Sequence, residues 1–275
     1  MQHLDLYQNY LPFVYFIFGC IIGSFLNVCI YRLPQGLSVI YPGSRCYYCQ
    51  KKIPFYYNIP VLAWFLLRGK TACCQQPLPF RYPFVELLTG IFAWLTGTYL
   101  TLAPIATFTL ICLLIVAFYT DIDELIIPDE ITLGGIILGV LLSCKYPELQ
   151  HVHNSFSAIE TSLKNACIAM GALFLFGSFV EYFMKREALG LGDVKLLGCI
   201  GAFYGLDACC FAIFGGAIIG STYFLLIAIY QFIKSKKMPQ FLHQEIPFGP
   251  FISAATILYV FFSKSLTAFL FNTSF

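Results

Sequence analysis

Eight nearly unbroken apolar runs divide the chain, near residues 11–31, 83–102, 104–120, 127–144, 164–183, 194–206, 208–233 and 246–263. A helix that crosses the hydrocarbon core of a bilayer needs about 20 mostly apolar residues. The pattern therefore predicts an all-α polytopic membrane protein with about eight transmembrane helices. The run at 194–206 is short and glycine-rich, so seven spans is the alternative count. Between the first two runs lies a long polar segment, which gives an expected organisation of a first transmembrane helix (1–31), a cysteine-containing loop domain (32–82) and a larger membrane-embedded domain (83–275). The chain shows no internal repeat and no low-complexity segment. The opening residues MQHLDLYQNY carry no basic flank, and no small-residue cleavage site follows the first apolar run. That run is expected to stay in place as a span.

Composition agrees with the pattern. Of 275 residues, 59% are hydrophobic and 11% charged, against roughly a quarter charged in a soluble domain. So few charges cannot cover a water-facing surface, and a lipid bilayer is the expected surrounding. A net charge of +2 argues against a polyanionic partner such as nucleic acid. The basic residues are unevenly placed. Segment 32–82 holds Arg32, Arg45, Lys51, Lys52, Arg68, Lys70 and Arg81 with no acidic residue; Lys185, Arg186, Lys195, Lys234, Lys236 and Lys237 fall on the same side of an eight-span chain. Lys145, Lys164 and Lys264 fall on the other. The positive-inside rule makes the crowded side cytoplasmic and puts both termini outside.

Acidic residues gather at that same face. The third run ends in AFYTDIDELIIPDEIT, with Asp121, Asp123, Glu124, Asp129 and Glu130; the sixth follows EALGLGDVKLLG, with Asp193 two residues before Lys195. Asp129 and Glu130 after Pro128 read as a helix start, where acids complement the dipole. Ionisable groups at membrane depth are costly and usually functional. Gly190 and Gly192 flank Leu191, and their conformational freedom is expected to let a loop bring Asp193 to Asp121. Two adjacent carboxylates share a proton, so one can act as base toward water and the other as acid toward a carbonyl oxygen. That is metal-free aspartic peptide hydrolysis. None of His3, His151, His153 and His243 stands in a nucleophile motif, and HExxH and GxSxG are both missing. On the residues alone, a proton- or ion-coupled transporter using Asp121 and Asp193 remains an equal reading. Against it, the chain has no paired halves with broken helices. A pure assembly scaffold is a third.

At this point the chain resembles a known family. GLGDVKLLG at 190–198 is similar to the GxGDxK signature of type IV prepilin peptidases and related membrane aspartic proteases, and DIDELIIPD at 121–129 to the segment carrying their first catalytic aspartate. The blocks GSFLNVCIYRLP (23–34), CYYC (46–49), NIPVLAWFLLRG (58–69), RYPFVELLTG (81–90) and IPFGPF (246–251) agree in order. The resemblance implies that Asp121 and Asp193 are the catalytic pair, that 83–275 is the peptidase domain, and that Gly190, Gly192, Lys195, Asp123 and Asp129 support the loop or substrate. It implies a substrate too: the basic leader of a type IV prepilin or type II secretion pseudopilin, cut after a glycine at the cytoplasmic face of the bacterial inner membrane. It also implies N-methylation of the new N-terminal residue from S-adenosylmethionine, for which no glycine-rich nucleotide motif is visible. The acidic cluster, Glu187 included, complements a basic leader.

Seven of the twelve cysteines (Cys20, Cys29, Cys112, Cys167, Cys199, Cys209 and Cys210) sit in apolar runs and read as small packing residues. Cys46, Cys49, Cys73 and Cys74 lie in the polar loop. Family members with a long first loop carry two CxxC pairs, a structural zinc site. Here the second pair departs: in GKTACC, Thr71 stands at the first ligand position, Cys74 at the second, and Cys73 is displaced. Use of both adjacent cysteines is expected to require a distorted turn. Tyr47, Tyr48, Tyr56 and Tyr57 are expected to pack the loop or rest at the membrane interface.

Overall fold

The computed structural model describes residues 2–99, 103–185, 189–235 and 247–271. Arg186, Glu187, Lys236, Lys237, His243 and Ile246 lie outside the described residues. Helices cover all eight apolar runs where they are described: α1 (Gln2–Arg32), α3 (Arg81–Tyr99), α4 (Pro104–Glu124), α5 (Asp129–Lys145), α6 (Ser155–Met184), α7 (Leu191–Ser235) and α8 (Gly249–Phe271), with a short α2 (Leu62–Leu66) in the polar segment. The two runs at 194–206 and 208–233 share α7, which is broken at Gly205. No strand occurs among the described residues. Among the described residues, four helices are long and apolar enough to cross a membrane: Tyr10–Arg32, α4, α6 and Leu191–Lys234. On α6, Ala166, Ala169 and Leu173 are buried while Phe174, Leu175, Phe176 and Phe179 are exposed. A helix apolar all round suits lipid rather than water.

The chain forms two compact units, Met1–Val116 and Ala117–Phe275. In the first, α1 and α3 pack along a glycine seam. A Cβ on Gly19 would stand 2.5 Å from the Ala93 Cβ, one on Gly23 2.7 Å from the Glu86 Cα, and one on Gly90 2.6 Å from the Cys20 sulfur. Removing side chains lets the two backbones approach, the usual way membrane helices gain packing.

In the second unit, the Gly205 break leaves the last carbonyls of the first half of α7 without intrahelical donors. Gly205 has φ 77°, open to glycine and strained for other residues. Buried Gln150 donates from Nε2 to the Ala202 carbonyl at 2.8 Å, and Ser162 donates to the same oxygen at 2.7 Å. Asn165 Nδ2 fixes Gln150 by donating to its Oε1 at 2.8 Å. Two polar side chains thus stand in for the missing helical donors, and a third holds one of them in place.

Replacing Gln150 with leucine removes one donor to a buried carbonyl and leaves Asn165 unpaired. The expected loss is about 1–3 kcal/mol of stability, read as a lower thermal midpoint in detergent. An unchanged midpoint would show that the break is held by other means.

Candidate active site and metal centre

Asp121 and Asp193 come together in the second unit. Asp121 lies one turn before the end of α4, which runs through Glu124 rather than stopping at residue 120, and is 7% exposed. Asp193 is 9% exposed and within electrostatic reach of Asp121. It sits in the first turn of α7, not in a loop. Its amide donates to the Gly190 carbonyl at 3.1 Å, which starts the helix there.

Neither flanking glycine takes a backbone conformation reserved to glycine, which corrects the sequence expectation, and Gly192 serves space instead. Neither Gly190 nor Gly192 has a positive φ. A Cβ on Gly192 would meet the Ile127 side chain at 3.2 Å, and one on Gly190 would lie 3.4 Å from Asp193 Oδ2. Ile127 follows the sharp end of α4, where Leu125 has φ 55° and its amide donates to the Asp121 carbonyl at 3.0 Å. Pro128 then caps α5, its carbonyl accepting from the amides of Ile131 and Thr132. Buried Ile127 therefore wedges between the α4–α5 turn and the start of α7.

A third element completes the site. The backbone N–H of Gly249, the first residue of α8, donates to Asp121 Oδ2 at 2.9 Å. A Cβ on Gly249 would stand 2.8 Å from that oxygen and 2.9 Å from Ile127 Cδ1. Sequence reasoning missed this role; its only signal was the IPFGPF block. Asp193 Oδ1 is buried without a hydrogen-bond partner among the described residues. Buried polar atoms are normally satisfied, so such an orphan points to chemistry. The other expected site residues lie around the pair. Lys195 Nζ holds Asp129 Oδ1 at 2.6 Å, tying the start of α7 to the start of α5. Both side chains are partly exposed, so the ion pair fixes geometry more than it adds stability. Asp123 is exposed on the last turn of α4.

In the first unit, all four loop cysteines converge, with their sulfurs within 4.8 Å of one another. Two similar backbone knuckles present them. In the first, Cys46 N–H donates to the Lys51 carbonyl and Gln50 N–H to the Cys46 carbonyl. In the second, Thr71 N–H donates to the Gln76 carbonyl and Gln75 N–H to the Thr71 carbonyl. Gln50 and Gln75 have φ of 56° and 59°. Thr71 thus occupies the place of Cys46, and Cys73 that of Tyr48. The expected distorted turn is not needed, because a regular knuckle already points position 73 inward. Cys49–Cys73, Cys46–Cys74 and Cys73–Cys74 sulfur distances are 3.2, 3.7 and 4.0 Å. Tetrahedral bonds of about 2.3 Å to zinc set sulfurs about 3.8 Å apart, so the set fits a tetrathiolate centre. Thr71 Oγ1 lies 3.1 Å from the Cys74 sulfur and accepts the Gln76 N–H. Burial works against ionising Cys46, but the backbone N–H groups of Cys49 and Tyr48 and the adjacent thiols outweigh it and bring that thiol down to about 6. The neighbouring Cys49 and Cys46 thiols push Cys73 up to about 12.

Known proteins are similar to this chain over most of its length. Residues 17–100 match the Bacterial Peptidase A24 N-terminal domain, and residues 108–272 match the Type IV leader peptidase family. A prepilin leader peptidase/N-methyltransferase of Myxococcus xanthus is 34% identical over 74% of this chain, which spans 61% of that relative's length. Proteins of the same name from Dichelobacter nodosus and Aeromonas hydrophila are 30% and 29% identical, over 88% and 94% of this chain and 90% and 94% of their own lengths. No solved structure matches. On the helices that carry Asp121 and Asp193, and on the match across 108–272, the chain belongs to the type IV leader peptidase family.

Proposed function

We propose that this chain is an aspartic endopeptidase of the bacterial inner membrane that removes the leader of type IV prepilins and type II secretion pseudopilins after a glycine, and then N-methylates the new N-terminal residue. The observation that carries the reading is the buried pair Asp121 and Asp193, brought together from two helices with one carboxylate oxygen unpartnered. Asp121, with Oδ2 fixed as an acceptor, takes the proton of the attacking water. Asp193 presents a proton from its unengaged side to the scissile carbonyl oxygen. The tetrahedral intermediate then collapses as the leaving amine is protonated. A transporter reading loses its footing, since the relatives bear peptidase names.

The finer features follow as parts of the same proposal. The eight helical runs span the bilayer, with both termini outside and the aspartates at the cytoplasmic face, as the bias of Lys and Arg requires. Lipid covers the apolar exterior. Zinc is held by Cys46, Cys49, Cys73 and Cys74 and fixes the two knuckles against each other. S-adenosylmethionine supplies the methyl group. The basic leader lies near Asp123, Glu124 and Glu130.

Asp121→Asn and Asp193→Asn should each abolish leader cleavage of a co-expressed prepilin while inserting normally into the membrane. Mass spectrometry of the pilin N-terminus reads the result, and robust cleavage by either variant would refute the catalytic pair.

Gly249→Ala tests how Asp121 is positioned. The new Cβ must displace either the carboxylate or Ile127, and misplacement of a catalytic group by about 1 Å can cost about 100-fold. The expected result is a kcat lowered by about 10- to 100-fold with KM little changed. A KM effect alone would mean that the glycine serves substrate binding.

Protein purified without chelator should hold about one zinc ion per chain. Cys73→Ala should lower that content as much as Cys46→Ala, by elemental analysis. Full zinc retention in Cys73→Ala would show that Cys73 is no ligand.

A further inference from the structure

The first unit contains a cavity of about 430 Å³ that the peptidase chemistry does not use. Small-molecule sites run from about 300 to 1,000 Å³, so its size is that of a ligand pocket. It lies among the end of α1, the cysteine knuckle and the start of α3. Tyr31, Tyr41, Tyr47, Tyr57, Tyr82 and Trp64 line it, so two of the tyrosines expected to pack the loop or rest at the membrane interface, Tyr47 and Tyr57, face an open space. Glu86 is its sole acidic lining residue, 8% exposed on α3.

Glu86 is held with care. Val61 N–H donates to its Oε2 at 2.7 Å, and the Ser24 hydroxyl donates to it as well. Val61 has φ 63°, an outlier for a β-branched residue. Such strain persists where surrounding structure over-determines it, commonly at ligand sites. A neutral glutamine would satisfy the Val61 amide equally well. Burying a carboxylate instead is costly unless a positive partner compensates. The Arg32 guanidinium does not serve, since it donates to the carbonyls of Ser38, Pro42 and Gly43. A pocket walled by aromatic rings around one fixed carboxylate suits a flat, cationic ligand, because ring faces attract cations and stack on bases.

We propose that this cavity binds the methyl donor, S-adenosylmethionine, with Glu86 facing its sulfonium and ammonium charges, the aromatic wall taking the adenine, and Arg45 at the rim meeting its carboxylate. This deepens the N-methylation reading and rests on it.

Trp64 makes binding directly visible. In the full-length protein carrying Trp94→Phe, Trp64 is the sole tryptophan, and S-adenosylmethionine should quench its fluorescence saturably. Glu86→Gln keeps the acceptor for Val61 and should weaken donor binding more than tenfold. It should weaken S-adenosylhomocysteine, which lacks the sulfonium charge, by a smaller factor. Tyr57→Ala, in the wall, should weaken both and carries the test if the glutamine variant does not fold by circular dichroism. Donor affinity equal to the parent's in both variants would overturn the proposal. So would quenching by phosphatidylglycerol micelles but not by the donor, in a protein that still methylates pilin. A parent protein that neither binds the donor nor methylates would overturn the N-methylation reading itself, along with this site.

Discussion

The hydrogen bond from the Gly249 amide to Asp121 Oδ2 is the contact on which the geometry of the candidate site depends. A carboxylate on a helix surrounded by apolar side chains has few donors within reach, because each helix spends its own amides on its own ladder. The free amides are those of a helix's first turn, so the start of α8 supplies what the interior of α4 cannot. The arrangement obliges three chain segments to meet: the end of α4, the first turn of α7 and the start of α8. Ile127 fills the space between them, and Gly192 and Gly249 exist as glycines because that space is full.

The same rule of polar satisfaction shapes the far side of the unit. Gln150 and Ser162 take over carbonyls that the Gly205 break releases, and Asn165 holds Gln150 in place. A broken helix therefore costs little here, and its two halves can pack as separate rods. Both solutions use elements distant in sequence to finish what a local segment leaves incomplete.

Much of this was legible beforehand. The apolar runs marked every long helix, since length and lack of charge are strong signals in a membrane chain, and Asp121 and Asp193 stood out as charges where charge is expensive. Three things were not legible. Gly190 and Gly192 read as a flexible loop, yet neither has a positive φ; at Gly192 a glycine needed for space looks in sequence like a glycine needed for φ, and only the position of Ile127 distinguishes them. The role of Gly249 is carried by a backbone amide, which leaves no side-chain signature. Glu86 sat inside an apolar block, and its partner, Val61, is 25 residues away in a strained conformation that no propensity anticipates.

The twin knuckles of the cysteine loop have a consequence for how such a centre changes through mutation. CYYCQ and TACCQ share one backbone trace, although the sequence shows no longer repeat. What a tetrathiolate zinc centre would require is four sulfurs at tetrahedral corners, not four particular slots along the chain. The first knuckle points its first and fourth slots inward, and the second its third and fourth, with the Thr71 hydroxyl at its first slot 3.1 Å from the Cys74 sulfur. A lineage can therefore pass through a chain with five thiols, holding cysteine at both 71 and 73, and then shed either one without falling below four. The reverse order, with 71 lost before 73 is gained, leaves only three thiols in the cluster. The fold thus makes the four-thiol cluster tolerant of drift in one direction of travel and intolerant in the other.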